Sequence, residues 1–133
     1  MGSEFTFYDY IIEQNVIQAW FKDEKVPLKI RIKFDKWLLH LEGTPVGQWK
    51  RPLVDTLPEN CEGLFEIRAK LSKVQYRILG CHGPGQRNPT LLFGFIKLGD
   101  KVPDWACKEA LDRKDNVYAD PANHRERHNY QYD

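Results

Sequence analysis

Net charge is almost absent from this chain: 20 Lys and Arg stand against 19 Asp and Glu in 133 residues. Global electrostatics therefore do not mark it as a nucleic-acid binder. Cysteine is scarce as well. Cys61, Cys81 and Cys107 are odd in number, widely spaced and contain no CxxC pair. That argues against a disulfide framework and a zinc knuckle, suits a reducing cytoplasm, and leaves idle or buried thiols as the expectation. Long apolar runs are missing too. No stretch approaches the length of a membrane span, so no membrane partner is expected. There are no internal repeats and no signal peptide. Met1-Gly2-Ser3-Glu4-Phe5 reads as a cloning scar, because Gly-Ser and Glu-Phe are what two common restriction sites encode, and it is set aside.

What is present suits one domain. Hydrophobic residues make up 41% of the chain and aromatics 13%, enough for a core at this length. The charge is unevenly spread. Residues 1–49 carry a net −1, residues 50–101 carry +4, and residues 102–133 carry −2. The positive excess coincides with the stretch that reads as sheet, where an anionic partner would be met.

Thr6–Ile11 is β-prone and predicts a first strand. Asn15 is placed to cap a helix over Val16–Asp23, with Val16, Ile17, Trp20 and Phe21 on one side. Leu28–Leu41 carries two signals. Leu28 to Asp35 alternates as a strand does, yet Ile30, Phe34, Trp37, Leu38 and Leu41 form a helical face. Leu28, Ile32 and Leu39 lie opposite, as in a helix covered on both sides. Thr44–Asn60, with Pro45, Gly47, Pro52 and Pro58, reads as a loop. Pro103 opens a helix to about Asp115. Val117–Asp133 is polar, and its composition reads as a disordered tail; a packed tail or one held by a partner are the alternatives. His124 and His128 are four apart, but no third ligand accompanies them, so no metal site is expected.

The most informative stretch runs from Gly63 to Lys97. Three β-rich runs lie in tandem, Leu64–Ala69, Val74–Cys81 and Leu91–Lys97, and each carries one cation: Arg68, Arg77 and Lys97. A cation within an apolar strand is costly unless it meets solvent or an anion. Three on consecutive strands could converge on one phosphate. The segments Gly63-Leu64-Phe65-Glu66-Ile67-Arg68, Tyr76-Arg77-Ile78-Leu79 and Gly94-Phe95-Ile96-Lys97 resemble, in order, the core motifs of the RelE/ParE toxin superfamily, closest to its HigB-like, phage-derived branch. The resemblance spans about Thr6 to Asn116. Residues 6–116 are taken as the domain and 117–133 as its tail.

The resemblance implies an α+β fold, with two N-terminal helices packed on a small antiparallel sheet and a C-terminal helix. It also implies a toxin held inactive by a cognate antitoxin protein, cutting mRNA, free or on the ribosome, in the cytoplasm, without metal or other cofactor and leaving a 2′,3′-cyclic phosphate. Such cleavage requires deprotonation of the 2′-hydroxyl, stabilisation of phosphate charge and protonation of the leaving oxygen. Arg68, Arg77 and Lys97 match the motif cations. The plain alternatives are a pairing of Arg68 with Glu66 or Asp100 and a solvated strand-end Lys97. Trp49, Lys50 and Arg51 would grip the RNA backbone by stacking and charge, although a loop tryptophan more often folds over the core. His82 is the candidate for proton transfer, against a solvated loop histidine. Two features depart from the pattern. Leu98 stands where a second lysine often follows, and Tyr118, Tyr130 and Tyr132 all lie beyond the last predicted helix. The rival reading is a non-catalytic binding module on the same scaffold. A gyrase-poisoning toxin shares the scaffold but not the cations.

Overall fold

The computed structural model describes residues 5–23, 25–49, 54–57, 61–97 and 102–130. The ambiguous segment resolves as helix. Its buried positions, Ile30, Arg31, Phe34, Asp35, Leu38 and Leu41, recur at three and four residues, which only a helix can place on one side. This helix, α2 (Leu28–Glu42), starts after Pro27 and stops at Gly43. It is covered on one side alone: Leu28 and Leu39 remain exposed, contrary to the two-sided expectation. The shorter α1 (Val16–Phe21) is capped as its sequence predicts, with Asn15 Oδ1 accepting the Gln18 amide at 2.8 Å.

Seven short strands are described: β1 (Tyr8–Ile12), β2 (Gln14–Asn15), β3 (Val54–Thr56), β4 (Phe65–Leu71), β5 (Val74–Cys81), β6 (Thr90–Lys97) and β7 (Arg125–Arg127). The sheet runs β2-β1-β6-β5-β4-β3, with β7 paired to β1. Every pairing is antiparallel except β1 with β6, which is parallel. The α+β class holds, then, with a sheet that is mixed at one junction. β3 lies inside the segment that reads as loop. It is too short to show an alternation of its own, and its Val54–Thr56 register comes from pairing with β4.

Alternation along β4 and β5 splits the sheet into two faces. Phe65, Ile67, Ala69, Tyr76 and Ile78 pack with Ile30, Phe34 and Leu38 of α2 and with Ile17 and Phe21 of α1. The opposite face is partly covered by α3 (Asp104–Ala119), whose Ala106, Cys107, Ala110 and Val117 meet Leu79, Leu92 and Phe95. Cys61 and Cys107 form a disulfide here, with Cα atoms 5.2 Å apart, whereas the sequence reads as idle thiols. That pairing removes the ground on which cysteine usage suggested a reducing compartment. Cys81 is free and buried.

The tail is folded, against its composition. α3 continues to Ala119, α4 (Pro121–His124) turns the chain, and β7 pairs with β1. His128 then enters the core. Its Nδ1 lies 2.7 Å from Asp9 Oδ1 and its Nε2 lies 2.8 Å from Asp35 Oδ1. Both carboxylates are fully buried. With an acceptor at each ring nitrogen, both nitrogens must carry protons, so the ring is an imidazolium. Burial opposes that charge, but the two carboxylates outweigh it and raise the pKa to about 9. Asn15 and Gln18 donate to Asp9 Oδ2, and Arg31 lies 3.9 Å from Asp35. His124 instead lies beside Asp120 O, at 3.1 Å, so the two tail histidines do not share a helical face. Phe5 also belongs to the fold: its ring lies 5.1 Å from that of Trp49. Among the described residues no helix is long and apolar enough to cross a membrane.

The His128 pKa lies above its unfolded value, so its stabilisation is complete below about pH 6.5. It is lost as pH rises through about 9. Urea unfolding of the wild type is expected to show a lower midpoint at pH 9.5 than at pH 6 (roughly three units spanning the titration). His128→Ala leaves two buried carboxylates facing each other and is expected to cost about 3–5 kcal/mol at neutral pH, with this part of the pH dependence abolished. An unchanged midpoint in His128→Ala would remove the clamp from the account.

Candidate functional site

On the sheet face away from α2, β3, β4 and β5 place five polar side chains side by side. In register, Asp55 lies opposite Glu66, and Arg68 lies opposite Arg77. Two arginines directly across a ladder repel each other. Glu66 resolves this by standing between them. Its Oε1 accepts from Arg68 Nε at 3.2 Å and from Arg77 Nη1 at 2.9 Å. Arg68 Nη2 also donates to Asp55 Oδ2 at 2.5 Å, and Arg77 Nη2 donates to Gln75 Oε1. The cluster is graded in depth. The Glu66 side chain is 1% exposed, Arg77 7% and Arg68 28%, so Arg68 is the guanidinium an incoming group would meet. Burial holds the Arg77 pKa below its ordinary value, Glu66 pulls it up, and the Arg68 charge pushes it down again.

Asp55 is thus a second partner that the sequence does not reveal, while Glu66 is the one that strand alternation predicts. Asp100, the other carboxylate considered, lies outside the described residues, as do Lys50 and Arg51. Lys97 ends β6 opposite Gln75, and β6 places Phe95 opposite Arg77. The three motif cations therefore do occupy neighbouring positions of one sheet region.

A cleft of about 440 Å³ lies along β4 and α2, lined among the described residues by Lys33, Trp37, Arg68, Ala69, Lys70, Gln75 and Arg77. Four of those seven residues are cations and none is a carboxylate. Lys33 bridges α2 to the sheet by donating to Lys70 O at 2.7 Å. Trp37 Nε1 and Arg77 Nε are buried with no partner among the described residues. Sequence reasoning missed Lys33, Trp37 and Lys70. Lys33 and Lys70 carried no motif, and Trp37 was assigned to the core face.

Two candidates fall elsewhere. Trp49 is buried, stacks on Phe7, meets Phe65 edge-on, and donates to Thr44 O at 2.8 Å. It is a core residue and not an RNA platform. His82 lies five residues past Arg77, about 16 Å along an extended strand. Its ring lies 4.9 Å from Phe65 and 5.8 Å from Trp49, on the α2 side of the sheet. Partial burial, then the charge of Lys114, lower its pKa. Proton transfer between His82 and a phosphate at Arg68 is excluded by that separation.

A family model described as phage-derived protein Gp49-like (DUF891) matches residues 23–115. No curated protein and no solved structure gives a match.

Removing Glu66 is expected to be more damaging than removing Arg68, the more exposed of the two arginines. Glu66→Ala leaves buried Arg77 facing Arg68 unneutralised and should cost about 3–5 kcal/mol. Arg68→Ala, partly solvated, should cost about 1 kcal/mol. Chemical denaturation of the two variants checks the order, and equal losses would refute the wedge role of Glu66.

Proposed function

From the premise that the chain belongs to the Gp49-like family of phage-derived proteins, a toxin-like family related to RelE and HigB, we propose that it is the toxin of a toxin–antitoxin pair. In this reading it cuts single-stranded mRNA, free or on the ribosome, in the cytoplasm, and a cognate antitoxin silences it. The observation that supports it is the cleft beside Arg68. Lys33, Arg68, Lys70 and Arg77 line it, and among the described residues no carboxylate joins them in the lining. Such a wall favours the dianionic phosphorane-like transition state over the monoanionic ground state, which is the condition for catalysis. Arg68 and Lys97 are the contacts to phosphate. Arg77, mostly buried, orients Glu66 and Arg68. The exposed ring of Trp105, 5.7 Å from Phe93 and 6.2 Å from Phe95, offers an unpaired base a surface on the other side of Arg77.

A second reading is favoured by one specific feature. Among the described residues the cleft lining holds no histidine, tyrosine or carboxylate, and so no evident group for proton transfer. A module that grips a phosphate backbone without cutting it needs only the cations.

Induction in bacteria followed by primer extension separates the two. Wild type should create new mRNA 5′ ends, and Arg68→Ala, shown folded by circular dichroism, should reduce them by about 100-fold or more. Wild type that expresses, folds, binds RNA and makes no new ends supports the binding module. Cuts that persist in folded Arg68→Ala would move the chemistry away from this cleft.

A further inference from the structure

His82 is left without a role by the sheet cleft, yet it does not stand alone. At the far end of β5 a cavity of about 700 Å³ is lined by Phe5, Pro45, His82, Gly83, Gly85, Gln86, Arg87 and Tyr118. It is larger than the sheet cleft, and it differs in character. Phe5, His82 and Tyr118 give it rings, and Gln86 and Arg87 give it donors. Among the described residues no carboxylate lines it. Lys114 adds a further charge, its Nζ 5.6 Å from the centre of the Tyr118 ring.

The wall is built before any ligand arrives. Thr90 Oγ1 donates to Gly83 O at 2.8 Å, and Thr6 N–H donates to Arg87 O at 2.9 Å. From the tail, Arg125 Nη1 donates to Asn88 O at 2.9 Å and to Thr90 Oγ1 at 3.1 Å. The turn from Cys81 to Thr90 is therefore braced internally by Thr90 and tied, at its Arg87–Thr90 end, to the residues leading into β1 and to β7. Arg87 and Gln86 remain exposed, and Tyr118 is 48% exposed. Held backbone with free side chains at the rim is the arrangement of a preorganised site.

We propose that this cavity is a second ligand site, independent of the sheet cleft, and that it takes a mononucleotide unit, with the base against Tyr118 and His82 and the phosphate on Arg87 and Lys114. The size fits, since pockets for molecules of this class begin at about 300 Å³. The chemistry fits as well. Rings flanked by cations favour a planar ligand that carries negative charge, and a neutral ring would leave the cations unused. The unit could be a free mononucleotide or the phosphorylated end of an RNA strand, which share this chemistry.

The test is an NMR titration of the full chain with AMP, following the His82 imidazole and the Tyr118 ring. Both signals should move and saturate. Adenosine and inorganic phosphate should each bind at least tenfold more weakly than AMP. Tyr118→Ala and Arg87→Ala, both surface changes whose folding is checked by thermal melts, should each weaken AMP by about fivefold or more. Arg68→Ala should leave AMP binding unchanged, whether or not the chain cuts RNA, so this proposal stands or falls apart from the nuclease reading. A short RNA with a 5′-phosphate that displaces AMP and binds more tightly assigns the site to strand ends, and failure to displace assigns it to free nucleotides. The proposal is overturned if AMP leaves His82 and Tyr118 unmoved, if Arg68→Ala abolishes binding, or if neither cavity variant weakens it.

Discussion

One buried imidazolium between two buried carboxylates holds the two ends of this chain together. Asp9 sits on β1, Asp35 in the middle of α2, and His128 two residues before the last described position. None of the three is tolerable alone in an apolar core. Together with Arg31 they sum to zero charge, and Asn15 and Gln18 both donate to the second oxygen of Asp9. The clamp can form only when β7 lies in register with β1, because a slip of one residue would turn His128 to the other side. It therefore specifies the tail's position more than it adds stability. Much follows from that position. β7 puts the Arg125 guanidinium over Tyr8, 4.1 Å from the ring centre, and onto the carbonyl of Asn88. The turn that walls the larger cavity is thus fixed by electrostatics on the opposite side of β1.

The sheet face repeats the same device with the signs reversed. There one carboxylate, Glu66, stands between two guanidiniums. In both clusters the central group is buried and the flanking groups belong to different elements. A buried ion cluster gains little over apolar packing, but breaking one is costly. Two such clusters in a single small domain are best understood as register locks, one for the tail and one for β3, β4 and β5.

The local features of this fold were legible in the sequence. Asn15 announced its cap, Pro103 its helix start, and the alternation of β4 placed Glu66 and Arg68 on one face. Each of these depends on neighbours a few residues away. The features that escaped depend on distant pairs. Asp55 meets Arg68 across 13 residues, Cys61 meets Cys107 across 46, and His128 meets Asp9 across 119. The tail's composition is that of a disordered segment because composition counts apolar area, and this tail is held by charge, by strand pairing and by Tyr130 donating to Glu42 at 2.6 Å. The grouping of His82 with Arg77 failed for a different reason. Arg77 lies within β5 and His82 just past its end, and proximity in sequence hid the length and the change of face between them.

The pairing of Arg68 bears directly on how the sheet site could work. A guanidinium already bonded to Asp55 and Glu66 does not attract every anion. A phosphate must match the geometry of the free edge and compete with two carboxylates, so weak or poorly placed anions lose. The same carboxylates hold Arg68 and Arg77 in position without a ligand, which removes reorganisation from the binding step. The cost is net charge: the cluster carries far less of it than three bare cations would, which agrees with a chain whose overall charge is only +1. Long-range attraction of a polyanion is then small, and affinity must come from short-range fit. A protein built this way is suited to a ligand delivered at close range or presented on a larger surface, and poorly suited to sliding along free nucleic acid.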